Sequence, residues 1–203
     1  MREKLINLWI YEYLGENMTT RGLIQIYNVR QNQKRRELIA NIYVHGDMYE
    51  DGVMCDVFQY LEKKALVNGY QPDKMFMQVN GMDDLASVII TYLKTIYTET
   101  MKKFGYKSED AVPIAAGYVY LFPTNIKLNE TDVSYIYKLL PPTDYEERGF
   151  KYGLGAPLFT LRVMAYKYDW TEENAKPKLF FRGTADKYVQ KYCVDKSKIR
   201  ETT

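Results

Sequence analysis

Histidine is almost absent from this chain of 203 residues, where His45 is the only copy. A Ser-His-Asp or Cys-His arrangement would have to use that residue, and a zinc site built on two histidines is excluded. Cysteine is nearly as scarce, with Cys55 and Cys193 alone. Two thiols are too few for a metal cage of their own, and disulfide scaffolds are denser in cysteine. The pair is therefore expected as buried thiols in a reducing compartment. No stretch approaches the ~18 consecutive apolar residues that a membrane span demands. The opening segment, MREKLINLWIYEYLGEN, carries acids and no small-residue cleavage site, unlike a secretory leader. These absences give an expected location in the cytoplasm or a virion, with no membrane partner. The N-x-T triplets at Asn17 and Asn129 would matter only in a secreted chain. An excess of one charge is missing too: 28 bases face 26 acids, for a net charge of +2. That balance excludes a polyanion binder that uses its whole surface, and leaves room for a local patch. The glycines around Gly153 are followed by no Gly-Lys-Ser/Thr, so no phosphate loop is present there.

Against these absences stand 20 tyrosines and 9 methionines. Tyrosine joins an apolar body to a polar tip and suits partly wet interfaces. AT-rich coding sequence also raises Tyr, Lys, Asn and Ile, and the two causes can coexist.

Periodicity organises the chain as a single α+β domain spanning 1–203, with a mostly antiparallel sheet, a β-hairpin and four to five packed helices. Residues 2–14 have helical spacing, and within the N-terminal segment 1–17 the apolar stripe is wider than one contact needs. Gly22 to Val29 and Glu37 to Val44 alternate and read as the hairpin, joined by a turn with neither Gly nor Pro. Asp51 to Val67 reads as a helix capped at Asn68-Gly69, and Asp83 to Phe104 as the central core helix, stopped at Gly105. Its acids come first and its lysines last, as the helix dipole prefers. Asp73 to Val79 is a short strand candidate. Pro113 to Phe122, Pro157 to Tyr168 and Pro177 to Phe181 read as strands from their aromatic and β-branched content. In the longest, Phe159, Leu161, Val163 and Ala165 share one face, and Thr160, Arg162, Met164 and Tyr166 the half-polar other. Thr131 to Leu140 and Thr184 to Val194 read as helices. Residues 141–157 form the longest irregular stretch, a loop or interaction arm.

Chemistry is sparse. His45 with Asp47, Glu50, Asp51 and Asp56 nearby offers the oxygen-rich surroundings of a divalent-metal hydrolase, although acids before a helix are also ordinary. In RGTADK, Arg182 to Lys187, a strand gives way to a helix, whose first N–H groups suit an anion beside Arg182; Thr184 as a plain N-cap explains the same residues. The most concentrated charge is VRQNQKRREL, where Arg30, Lys34, Arg35 and Arg36 occupy the hairpin turn. A solvated turn, an acidic patch on a partner and a phosphate backbone would each account for it. A second basic run, Lys187, Lys191, Lys196, Lys198 and Arg200, closes the chain, diluted by acids. Nucleic acid is not favoured, because the stacking aromatics of a single-strand binder are not expected on the same strands as the charge.

The leading expectation is a non-enzymatic structural or interaction protein, such as a connector or tail-adaptor subunit of a bacteriophage particle, with no catalytic, cofactor or metal residue. Its partners would be proteins, in a homo-oligomer or larger assembly. The candidate partner-binding residues are Trp9 and Tyr13 on the first helix, Arg30, Lys34, Arg35 and Arg36 on the hairpin, and Tyr145, Phe150 and Tyr152 in the long loop. One alternative is an inhibitor that docks on a host protein or nucleic-acid enzyme through the basic hairpin. Another is the hydrolase around His45, Asp47 and Asp51.

Overall fold

The computed structural model describes residues 20–29, 36–70, 74, 77–128, 131–143, 155–169 and 176–193. The alternating segments form the expected hairpin: β1 (Gly22–Val29) pairs antiparallel with β2 (Arg36–Val44), with a bulge between Ile26 and Tyr27. Four more strands extend it: β5 (Val119–Phe122), β6 (Tyr135–Leu140), β8 (Arg162–Lys167) and β9 (Lys178–Thr184). The sheet order is β5-β2-β1-β6-β8-β9, antiparallel at every pairing except β1 with β6. A small second sheet joins β3 (Ala65–Val67) to β4 (Gln78–Asn80) and β7 (Ala156–Pro157).

Helices α1 (Val53–Glu62), α2 (Gly81–Lys103), α3 (Ser108–Tyr118) and α4 (Ala185–Tyr192) supply the apolar faces that cover one side of the larger sheet. Ile24, Ile42, Tyr137, Leu139 and Val163 of the strands meet Phe58, Leu85, Ile89, Leu93 and Tyr188 of the helices in one cluster. Burying each such side chain contributes about 1.5–3 kcal/mol. The opposite side of the sheet carries a smaller cluster, Leu23, Tyr43, Val133, Ile136 and Tyr168. The mixed α+β architecture expected from the sequence is thus present.

The central helix ends as its glycine dictates. Gly105 has φ +89°, its N–H donates to Lys102 O, and the N–H of Tyr106 donates to Met101 O. This closes the last turn with two reversed bonds. Within the expected helix of Thr184 to Val194 lies α4 (Ala185–Tyr192); the strand expected at Pro177 to Phe181 runs over Lys178–Thr184, and that expected over Pro157 to Tyr168 is confined to Arg162–Lys167, with Leu161, Val163 and Ala165 buried on the core side as the alternation required.

Other expectations are corrected. Thr131 to Leu140 is not a helix: its second half is β6, between β1 and β8 in the middle of the sheet. Tyr137 packs on one side and Ile136 on the other, so apart from Lys138 the strand is apolar on both faces and its spacing imitates a helix. Pro113 to Phe122 is a strand only in its last four residues, because Ala111 and Ala115 bury a helical face first and Pro113 lies inside α3. The helix placed over Asp51 to Val67 stops at Glu62, and Ala65–Val67 turns into β3. Gly69, with φ +86°, then serves a turn and not a helix cap, its N–H donating to Asn80 Oδ1. Phe159 falls in a 3-10 turn over Leu158–Thr160 and is exposed.

The cysteines are corrected most sharply: Cys55 and Cys193 form a disulfide. Cys55 lies on α1 and Cys193 follows α4, and these helices pack together. Among the described residues no helix is long and apolar enough to cross a membrane.

Candidate functional site

The register of the sheet gathers cations at one end. Arg36 opens β2 opposite Val29, where β1 ends. β1 runs parallel to β6, so this is also the end at which β6 finishes with Leu140. Leu140 is level with Arg162 at the start of β8, and Arg162 is level with Thr184 at the close of β9. Arg182 stands two residues earlier on β9, paired with Met164, and α4 begins directly after Thr184 with Lys187 in its first turn. Arg36, Arg162, Arg182 and Lys187 thereby line one cavity of about 440 Å³. Leu140, Val163 and Met164 give it apolar walls, and Thr143 and Thr184 add hydroxyls. Among its described lining residues there is no Asp or Glu.

Arg162 is the fixed member of the set. It is half-buried, and its Nε donates to Pro141 O at 2.8 Å. Burial, and then the charge of Arg36, lower the proton affinity of its guanidinium, although arginine stays protonated in proteins. Two cations held this close repel one another, and an anion between them removes that repulsion. Arg36, Arg182 and Lys187 are exposed at the rim of the cavity. Thr184 is the N-cap residue of α4, as expected, but its side chain makes no capping hydrogen bond. Asp186 tempers the positive field from the same turn; its Oδ1 is buried without a hydrogen-bond partner.

The strands around the cavity share its charge. β1, β6, β8 and β9 contain no Asp or Glu, while β6, β8 and β9 hold Lys138, Arg162, Lys167, Lys178 and Arg182. On the sheet side away from the helices, Lys138 pairs in register with Met164, and its Nζ lies 4.9 Å from the centre of the Tyr166 ring. Tyr166 donates to Met164 Sδ at 3.8 Å, and Tyr27 donates to Gln25 Oε1 at 3.2 Å on the neighbouring strands. Burial lowers the Lys138 ammonium and raises the Tyr27 phenol.

Of the sequence-derived partner residues, Arg36 is in the cavity. Trp9, Tyr13, Arg30, Lys34, Arg35, Tyr145, Phe150 and Tyr152 lie outside the described residues, as do Asn17 and Asn129. RGTADK contributes Arg182 and Lys187, so two stretches singled out separately meet at one place. Arg162 and Lys138 carried no sequence motif; the available signal was the run of adjacent strands with bases and no acids.

His45, Asp47 and Asp51 are not assembled in this way. His45 directly follows β2, its ring edge against Tyr118 at 5.4 Å, and burial followed by the charge of Arg21 lowers its pKa. Asp47 has φ +57° and uses its carbonyl to accept from Val53 N–H at 2.7 Å. Asp51 is exposed, and Glu50 accepts from the Tyr135 hydroxyl at 2.9 Å with Lys167 Nζ 3.5 Å away. Among the described residues no three His, Cys, Asp or Glu side chains are grouped so as to hold a metal ion. Comparison of the chain with protein-family models, curated proteins and solved structures finds no match.

Proposed function

We propose that this chain is a non-enzymatic interaction protein that holds an anionic group, phosphate or carboxylate, in the cavity between β2, β8, β9 and α4. The observation that carries this reading is the convergence of Arg36, Arg162, Arg182 and Lys187 on one cavity without a lining carboxylate among the described residues. A guanidinium presents a planar fork of donors that matches either oxyanion, and such charge-assisted bonds are about twice as strong as neutral ones. The disulfide supports a place of work outside a reducing cytoplasm, of which a virion is one instance.

Calorimetry with inorganic phosphate, pyrophosphate and acetate at low salt tests the reading. Binding is expected to strengthen from phosphate to pyrophosphate and to weaken by roughly tenfold or more in Arg162→Gln, since a bond to a charged group is worth about 1.5–3 kcal/mol. Absence of heat with all three anions removes the reading.

Self-assembly is a second reading, favoured by one feature of the sheet. β5 is an edge strand with Tyr120 and Leu121 exposed, and Val112 of α3 is exposed as well. Unpaired apolar edges of this kind accept further strands. Light scattering over a concentration series decides it: a concentration-independent monomer mass ends this reading.

A further inference from the structure

We infer that the partner is a single-stranded nucleic acid, its phosphates on the cationic cavity and its bases on the tyrosine-bearing side of the sheet. This rests on the anion reading of the cavity and names its ligand class. Three observations point the same way. First, the cavity is not isolated: Met164 lines it and also accepts from Tyr166, so the cavity wall runs directly into the aromatic surface. Second, Arg162, Met164 and Tyr166 alternate onto one side of β8, and Lys138 and Arg182 flank Met164 on the neighbouring strands. Phosphate-binding and stacking groups therefore share a surface, where the sequence had suggested that they would not. Third, Lys138, Arg162 and Arg182 stand on three adjacent strands, β6, β8 and β9, whose sequences contain no acid, which a polyanion laid across them requires and a mixed-charge protein partner does not.

Single-strandedness follows from the shape. Half-buried Tyr27 and Tyr166, the latter with Lys138 Nζ 4.9 Å from its ring centre and exposed Leu179 paired in register beside it, offer flat area to a base plane with a cation at its edge for the phosphate. Only an unpaired base can lay its face there. A duplex hides its base faces and is entered through a groove, by a helix or ribbon. An acidic peptide would use the cations and leave the tyrosines without a function.

The test is fluorescence anisotropy of the full, oxidised chain with a labelled mixed-sequence DNA strand about twelve nucleotides long, set against its duplex and against a poly-glutamate competitor of equal charge. The single strand is expected to bind more tightly than the duplex and to resist poly-glutamate. Its log affinity should fall with log salt at a slope of roughly −2 to −3, for three to four phosphate contacts. Arg182→Gln should flatten that slope by about 0.7. Tyr166→Leu should weaken binding by roughly 5- to 100-fold with the slope unchanged, because stacking is not a counterion effect. If phosphate and pyrophosphate bind in the calorimeter but the single strand binds no better than duplex or poly-glutamate, the nucleic-acid inference fails while the anion site stands. If no anion binds, both fail. These comparisons use the unaltered chain and hold even if a variant does not fold.

Discussion

Cys55 and Cys193 are covalently joined across 138 residues of sequence, tying α1 to the end of α4. The bond closes a long loop and so restricts the unfolded chain more than the folded one, an effect of about 2–5 kcal/mol for native disulfides. Thiol titration of protein denatured without reductant should find no free cysteine. The Cys55→Ser, Cys193→Ser double variant should unfold at clearly lower urea concentration.

A cluster of phenols closes the core beneath the residues that follow β2. The Tyr137 hydroxyl donates to Met48 O at 2.9 Å and lies 3.1 Å from that of Tyr188, which in turn donates to Glu50 O at 2.7 Å. Tyr188→Phe leaves the Glu50 carbonyl without this donor, and a loss of about 1–3 kcal/mol is expected. The two substitutions Tyr137→Phe and Tyr188→Phe should be non-additive in denaturant titrations, since the hydroxyls share one network.

The same burial sets the alkaline limit of the fold. Tyr97, Tyr137 and Tyr188 all have pKa values pushed well above the ordinary 10.0, desolvation being the first cause in each. A raised acid keeps its proton in the folded state and releases it on unfolding. Stability is therefore full below pH 10 and falls above it by about 1.4 kcal/mol per pH unit for each group. After the accessible phenols among the 20 tyrosines have ionised, a final rise in tyrosinate absorbance should coincide with loss of circular dichroism; separate titration of these three phenols in a folded chain would contradict their burial.

Two glycines separate steric from conformational need. A Cβ on Gly52 would lie 2.0 Å from the carbonyl oxygen of Asp47, so Gly52→Ala should cost about 3 kcal/mol or prevent folding. Gly81 has φ +79° with open space around it, and Gly81→Ala should cost only about 1–2 kcal/mol, from the backbone alone. Thermal unfolding of the two variants measures the difference.

Arg36 offers a separation of binding from folding. It is exposed at the start of β2, and its charge bears on another cation, Arg162. Arg36→Gln should change stability by no more than about 0.5 kcal/mol. It should nevertheless reduce the thermal shift given by saturating pyrophosphate, which for ligand at a hundred times its dissociation constant is about 2.7 kcal/mol.

Local pattern was enough for several elements. Alternation fixed the hairpin of β1 and β2 and the buried side of β8, because one face meets the core and the other does not. A long 3–4 repeat between acidic and basic ends, followed by Gly105, fixed α2, since each of those signals acts within a few residues. Tertiary structure decided the rest. β6 sends Tyr137 and Leu139 into the larger cluster and Ile136 into the smaller one, which blurs its alternation, and β3 exists only because β4 and β7 pair with it. Cys55 met Cys193 through the packing of two helices, a distance that no local spacing encodes. The cationic cavity has the same origin: Arg36, Arg162, Arg182 and Lys187 sit on four elements whose common end is set by strand direction and register, while the sequence determined only that each carried a charge.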